Sequence, residues 1–466
     1  MKNTELVIKS YGAAEEDPAR EKNLFKTLLL LAQLTGLNPQ PRLPAGLPSW
    51  LRVLLQSLAC LHSLLVIVTA LQFGVLFCKT TLAILPSGEL QDITDALTIM
   101  VIYSFATYAS AYWCVRAKRL QRHFDYINAE YRHHSLAGVC FVNSAYASQW
   151  TRSFSTIWFI CCMVGVLYWG LTPLLLGAHT LPLFCWYPFD AMAAIAYPWV
   201  YATQLFGQVI VGSSFAFGGN LYVTLCLLLL AQFDVLYCSL KNLDAHARLR
   251  SGATLQTLRT LQRQLLLSDA SCELNQYAML QEHATELQLL RRQQAQLPST
   301  QLSDAARAAL VDCVRHHRFI LSCAEELEAL FSPYCLVKSM QITMQLCLLV
   351  FVGVSGSREV SRIINQLQYL CLTLCELFMF TYCGELLRRH SLRAGEALWR
   401  GAWWQHAPHL RQDMLIFLLN SRRPVQVTAG KFYAMDVGRL RGVITQAFSF
   451  LTLLQKLQDK KQLGEL

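Results

Sequence analysis

Residues 53–78, 96–115, 153–189 and 191–233 contain no Lys, Arg, Asp or Glu. A helix crossing a ~30 Å hydrocarbon core needs ~20 apolar residues, so each run is long enough to span a bilayer. The first two predict one helix each. Pro182, Pro188 and Pro198 interrupt the region where the third and fourth runs meet. Because proline removes a backbone donor and breaks a helix interior, the pattern predicts span three over about 152–177, an ordered loop over 178–196 and span four from near Tyr197. As one helix the 191–233 run would be roughly 65 Å long at ~1.5 Å per residue, so span four is expected to extend beyond the bilayer. Spans five and six are expected over about 330–356 and 363–386, joined by the Gly/Ser turn VGVSGSREV.

Two weaker segments complete the pattern. Residues 442–455 are uncharged for 14 positions before Lys456. We read about 436–457 as a seventh span, since weak apolarity is what a helix shows when one side faces water or protein instead of lipid. Residues 24–37, LFKTLLLLAQLTGL, are too short to span and are expected to lie along the membrane or pack on the bundle. The polar first 22 residues exclude a cleaved signal peptide. The Leu-, Gln-, Arg- and Ala-rich segment 241–318 repeats Leu at helical spacing (Leu255, Leu258, Leu261) and is expected to extend spans four and five into the cytoplasm, with a loop tip at Pro298.

Composition and charge sharpen this reading. With 54% hydrophobic and 15% charged residues and a mean hydropathy of +0.32, the 466-residue chain does not divide into soluble domains. The net charge of +10 is unevenly placed: 30 Lys and Arg fall in 1–50, 116–152, 241–318 and 387–434, against 6 in the alternate segments. Basic residues stay on the cytoplasmic side, which puts the amino terminus inside and, after seven spans, the carboxyl terminus outside. This is the inverse of a G-protein-coupled receptor. No internal repeat suggests a transporter, no catalytic or phosphate-binding motif suggests an enzyme, and the basic excess implies membrane lipid rather than nucleic acid. Most of the 17 cysteines sit in apolar runs with no metal-ligand spacing, so neither a cofactor nor a metal is expected. Cys78 and Cys185, closest to the outer surface, leave a disulfide between outer loops open. Lys338 and Glu376 would be costly alone at membrane depth and lie at similar distances from the 356–363 turn, which predicts an ion pair between spans five and six.

Several blocks resemble the insect odorant receptor family: FSPYCLVKS (331–339), LCELFMFTYCGELL (374–387), LLNSRRPVQVTAGKFY (418–433), FSFLTLLQ (448–455) and the outer-loop LPLFCWYPFD (181–190). The resemblance implies an all-α membrane protein of seven helices in the inverted orientation, in the plasma membrane of an olfactory sensory neuron. It implies an odorant-gated, nonselective cation channel in which a tuned subunit binds a small volatile ligand and assembles with a shared co-receptor into a heteromeric tetramer conducting monovalent and divalent cations. A gustatory-type channel of the same fold and a metabotropic seven-helix receptor remain as alternatives. The ending TQAFSFLTLLQKL resembles tuned subunits rather than the co-receptor.

The resemblance also organises the chain: a membrane-associated segment (1–50), the ligand-binding bundle with its cytoplasmic extensions (51–330), spans five and six (331–386), a cytoplasmic anchor (387–435), the pore helix (436–457) and an outer terminus (458–466). Within the family's pocket, depth and helical spacing select Met100 and Tyr103 on span two, Cys162, Gly165, Tyr168 and Trp169 on span three, Phe206, Ile210, Ser213 and Ser214 on span four, and Tyr369 and Thr373 on span six. The pore face is expected to carry Thr445, Phe448, Ser449, Thr452, Gln455 and Lys456. Trp403, Trp404, Leu410, Met414, Leu418 and Phe432 are expected at subunit contacts, with TAGKFYAMD (428–436) starting a helix.

Overall fold

The computed structural model describes residues 23–41, 43, 46–86, 90–133, 135, 144–175, 177, 179–241, 243–250, 299–355, 360–400 and 407–464. The elements run α1 (Lys26–Leu34), α2 (Ser49–Ile84), α3 (Leu90–Glu130), α4 (Ala145–Leu175), α5 (Tyr197–Lys241), α6 (Leu243–Arg250), α7 (Ser299–Ser355), α8 (Val360–Arg400), α9 (Ala407–Ser421), β1 (Thr428–Ala429), β2 (Tyr433–Ala434) and α10 (Val437–Gly464). Six of these, α2, α3, α4, α5, α7 and α8, are long and apolar enough to cross a membrane. The seventh long helix, α10, falls below that threshold, as its short uncharged run predicts.

Helix length exceeds bilayer thickness wherever the cytoplasmic segments are long. α5 has 45 residues and α7 has 57, roughly 68 and 86 Å of helix at ~1.5 Å per residue. The surplus forms a cytoplasmic layer continuous with the membrane bundle. The expected loop tip at Pro298 and the turn at 356–359 lie outside the described residues. α1 does not lie free on the membrane: Phe25 stacks on Phe124 of α3 at 4.1 Å, and the Leu24 N–H donates to Asn128 Oδ1 at 3.0 Å.

α5 is the centre of the bundle. Ninety-four per cent of its most apolar window is buried, against 28% for α2 and 22% for α4. Helix α4 and helix α8 pack along it, while α3 pairs with α2 and α7. The Gly218–Gly219 step of α5 is a close helix contact: Tyr334 Oη of α7 lies against Gly218 and Trp158 of α4 against Gly219. Around that contact Trp113, Phe331, Tyr334, Tyr222 and Phe380 form a continuous aromatic core.

The cytoplasmic layer is held by polar contacts. Gln232 on α5 clamps the end of α3, accepting from Arg132 N at 3.0 Å and donating to Arg132 O at 2.8 Å; its Oε1 also accepts from His316 Nε2 at 2.9 Å. Arg119 and Glu326 form a two-pronged pair with oxygens at 2.5 and 2.9 Å.

One expectation needs correction. TAGKFYAMD does not start a helix; its first seven residues form a hairpin, with Thr428 opposite Ala434 and Ala429 opposite Tyr433. Gly430 and Lys431 both have positive φ, at 59° and 62°, as the two central residues of a tight turn that Phe432 N closes by donating to Ala429 O at 3.0 Å, with Phe432 the third residue of the loop. Glu328 on α7 fixes this hairpin by accepting from Thr428 N at 2.7 Å, and Ser332 O accepts from Gly430 N at 2.8 Å. α10 begins only afterwards, with Asp436 Oδ1 accepting from Arg439 N at 2.9 Å as an N-cap. The link before it rests on α8 at Gly384, where any Cβ would overlap the Met435 carbonyl oxygen.

Two predictions follow from this packing. Gly384→Ala should destabilise the protein by about 1–3 kcal/mol, the usual range for overpacking, read as a lower Tm of the purified protein. The second concerns three histidines outside the membrane spans. His123, His246 and His317 are pushed down to about 4 by burial, while an unfolded histidine titrates near ~6.5. Below that value the unfolded chain takes up protons first, so stability should be flat above it and fall as pH drops toward 4, by up to about 1.4 kcal/mol per histidine per pH unit. A Tm series from pH 8 to 5 checks this, and His317→Gln should reduce its slope by about a third, since His123 and His246 remain.

Candidate functional site

Between α3, α4, α5, α7 and α8 the packing leaves two adjoining cavities. The larger, about 40 Å³, is walled by Ile102, Trp158, Cys162, Gly165, Val166, Val211, Gly212, Phe215, Gln345, Tyr369, Leu372, Thr373 and Glu376. The smaller, about 10 Å³, lies toward the outer loop and is lined by Ile99, Tyr103, Trp169, Leu183 and Gln208 together with Ile102, Val166, Val211 and Tyr369. The last four belong to both and form the partition between them. Trp169 meets Tyr369 edge-on at 5.0 Å.

The outer cavity has a fixed roof. Gln204 on α5 accepts from Leu183 N at 3.0 Å and donates to Leu183 O at 3.1 Å, so the loop is held by its backbone and Leu183 is directed downward. Trp186 N donates to Thr80 Oγ1 at 2.8 Å, tying the same loop to α2, and Lys79 lies 5.0 Å from the Trp186 ring. Cys78 and Cys185 are free thiols.

Most of the wall is apolar, but several buried polar atoms have no partner: Tyr103 Oη, both carboxamide atoms of Gln208, Trp158 Nε1 and Glu376 Oε1. Buried polar groups are nearly always hydrogen-bonded, so these five atoms give the otherwise apolar walls of the two cavities unused donor and acceptor capacity.

Lys338 and Glu376 meet at the inner edge of the larger cavity, Nζ to Oε2 2.7 Å, with the two side chains 1% and 4% exposed. The ammonium also sits 3.9 Å from the Phe215 ring and 4.3 Å from that of Phe105. One and two helical turns on from Lys338, Ile342 and Leu346 of α7 pack with Leu377 of α8, next to Glu376, against Val443 and Ala447 of α10. α7 and α8 therefore separate the cavity from the last helix, with Gln345 and Tyr369 on the cavity side and Leu346 and Leu370 on the α10 side. On α10, Val443, Ala447 and Leu451 are buried, whereas Thr445, Phe448, Ser449, Thr452 and Lys456 are exposed on the opposite side and Gln455 is half-buried.

This architecture has known counterparts. A family model described as the 7tm odorant receptor matches residues 89–448. The chain belongs to the odorant receptor family. It is 61% identical to odorant receptor 85e of Drosophila melanogaster over 450 residues, covering 97% of this chain and 96% of that one. Odorant receptor 83a of the same organism is 37% identical over 377 residues, 80% and 82% of the two chains. The solved structure of the insect olfactory receptor OR5 from Machilis hrabei in complex with eugenol shares the fold, with a TM-score of 0.68 at 14% identity over 93% of this chain and 97% of that chain. The protein is thus an insect odorant receptor with an all-α transmembrane fold, a receptor and not an enzyme.

Within the receptor, the twelve residues selected from the sequence are not all brought together. Tyr103, Cys162, Gly165, Trp169, Tyr369 and Thr373 line the cavities. Met100 packs against the cluster beside them. Phe206 is 40% exposed on the outside of α5, and Ile210 packs against Val66 and Ala70 of α2. Ser213 Oγ donates to Val209 O, Ser214 Oγ pairs with Ser110 Oγ at 2.8 Å, and Tyr168 is half-buried off the cavity walls. Sequence reasoning missed Val211, Phe215 and Gln208, which mark the cavity face of α5, and Gln345, the contribution of α7. A helix buried all round has no polar face from which its orientation can be read.

Of the residues expected at subunit contacts, Leu410 and Met414 are buried in the receptor's own core and Leu418 packs on it. Phe432 is 79% exposed at the hairpin turn, and Leu415, Ile416 and Leu419 form the exposed apolar face of α9. Trp403 and Trp404 lie outside the described residues.

The ion pair yields an asymmetric prediction. Lys338→Met alone leaves a buried carboxylate without its counter-charge and should cost about 3–5 kcal/mol, while Lys338→Met with Glu376→Met should be near neutral. Thermal melts of the single and double variants measure the difference.

Proposed function

We propose that this receptor is the tuned subunit of an odorant-gated, nonselective cation channel, assembled with the odorant co-receptor as a heteromeric tetramer in the plasma membrane of olfactory sensory neurons. The observation that carries the reading is a roofed, largely apolar cavity whose inner edge is one helical turn from the contacts of α10. A small, neutral volatile molecule suits such walls, and the unpartnered polar atoms supply one or two orienting hydrogen bonds.

Neither cavity alone has room for more than a few water-sized groups. Binding therefore moves the partition: rotation of Tyr369 away from Trp169 joins the two chambers. A ligand favouring the joined arrangement shifts the population toward it, and one that fits both arrangements equally changes nothing. The shift passes from the α7–α8 pair through Ile342, Leu346 and Leu377 to α10, the pore-lining helix in this reading. The cytoplasmic segment 387–435 anchors the assembly, with Leu415, Ile416, Leu419 and Phe432 supplying apolar surface to neighbouring subunits in the way exposed apolar patches commonly do. Leu410 and Met414 support that surface from behind.

The reading is tested by co-expressing the receptor with the co-receptor and recording from excised patches without guanine nucleotide. Ligand-evoked currents within milliseconds are expected; strict dependence on guanine nucleotide would favour the metabotropic alternative, and currents unaffected by omitting the co-receptor would favour the gustatory-type one. In the same assay Val211→Phe, which fills the partition, should raise the half-maximal ligand concentration at least about tenfold with surface level unchanged, the loss of roughly 1.4 kcal/mol of binding.

A further inference from the structure

The ammonium of Lys338 is held by groups from three helices: Glu376 Oε2 of α8 at 2.7 Å, the Phe215 ring of α5 at 3.9 Å and the Phe105 ring of α3 at 4.3 Å. The two rings meet edge-on at 5.2 Å, so they form adjoining walls of one niche around the charge. A carboxylate with aromatic faces is the set of groups by which binding sites recognise an ammonium ligand. A pair that only joined α7 to α8 would need the carboxylate alone.

The niche and the larger cavity share two residues. Glu376 and Phe215 hold the ammonium and also wall the cavity, while Lys338 stands behind them, 1% exposed. Glu376 Oε1 is buried and has no hydrogen-bond partner. An ionised carboxylate can accept from several donors, so the lysine leaves part of the capacity of this wall residue unused.

We propose that Lys338 is the resident occupant of an ammonium site in the cavity wall, and that its presence restricts the receptor to neutral ligands by excluding amines. The proposal rests on the reading of this cavity as the ligand site. A tethered group competes at an effective concentration of about 1 mM or more, so an amine at ~1 µM is outcompeted about a thousandfold for the carboxylate. The amine also meets the like charge of Lys338 in surroundings that screen repulsion poorly. Neutral molecules meet neither obstacle. Lys338 is therefore a specificity-determining residue as well as the link between α7 and α8.

Lys338→Ala removes the propylammonium end of the side chain and keeps the carboxylate and both rings, so the test is chemical complementation. Full-length wild type, Lys338→Ala and the double variant Lys338→Met with Glu376→Met are melted in n-propylammonium or in propan-1-ol, its neutral isostere. The expected result is a rise in Tm of Lys338→Ala that needs at least about tenfold less propylammonium than propan-1-ol, with no such preference in the other two proteins. In excised patches with the co-receptor, propylammonium is expected to evoke current from Lys338→Ala and none from wild type. An equal response of Lys338→Ala to the two probes overturns the proposal, as does a wild type that binds propylammonium as tightly as the variant. Selective stabilisation without amine-evoked current also overturns it, because the ammonium site then has no part in ligand choice. None of these results touches the cavity reading, which fails if Val211→Phe leaves the ligand response unchanged. Where Lys338→Ala does not reach the cell surface, the two probes are added during expression and surface level is the readout: recovery with propylammonium alone supports the proposal, and recovery with both or neither overturns it.

Discussion

In α5 every polar atom has to be satisfied inside the protein, since other helices cover 94% of its most apolar window and hydrocarbon offers no hydrogen-bond partners. Its polar residues are accordingly spaced along its length, and several reach out to neighbouring elements. Gln204 holds the outer loop, Ser214 meets Ser110 of α3, Asn220 donates to Ser155 O of α4 at 3.1 Å, and Tyr222 donates to Phe380 O of α8 at 3.1 Å. Lower down, Gln232 clamps the end of α3 and Asp234 accepts from His390 Nδ1 at 2.9 Å. Each such bond is worth only about 0.5–1.5 kcal/mol net, but leaving one unmade costs about 1–3. That asymmetry fixes the register of the surrounding helices. Asn220 leaves its Oδ1 without a partner, and Gln208, which lines the outer cavity, leaves both carboxamide atoms so.

The Lys338–Glu376 pair extends the same logic to full charges. A lone charge at this depth would be excluded, so the two helices that carry the pair are obliged to keep those positions together. Phe105 and Phe215 cover the ammonium, and Phe215 also walls the cavity. The element that fixes α7 against α8 thus shares a side chain with the cavity and is one turn from the surface on which α10 rests.

The division between what could and could not be read from the chain has a physical basis. The spans, the interrupting prolines and the long cytoplasmic helices were legible because lipid and water impose opposite demands at every position. The weak seventh helix was legible for the same reason, since its mixed character is itself a pattern. Orientation about a helix axis was legible only where one side is wet: α10 shows its outward stripe as expected, whereas on α5 the choice of Phe206 and Ile210 over Val211 and Phe215 had no polar face to guide it. On α9 the opposite surface was chosen, Leu410 and Met414 in place of Leu415, Ile416 and Leu419. Both faces of that helix are apolar, and only the position of the core distinguishes them. The hairpin at 428–434 was read as helix because a left-handed Lys431 is decided by the contacts of Glu328 and Ser332 with the turn, which are some 100 residues away in the chain.

By itself the sequence determined the class of solvent around each segment, and with it the seven helices, the inverted orientation and the pairing of Lys338 with Glu376, because the penalty for exposing charge to hydrocarbon is large and local. The tertiary structure decided which faces of the buried helices meet. It left a cavity under Leu183, set Gln208 and Tyr103 beside it without partners, and placed Glu376 on the wall of the adjoining cavity and Leu377 against α10. Those outcomes depend on close packing among side chains of nearly equal hydrophobicity, for which composition and spacing carry no directional signal.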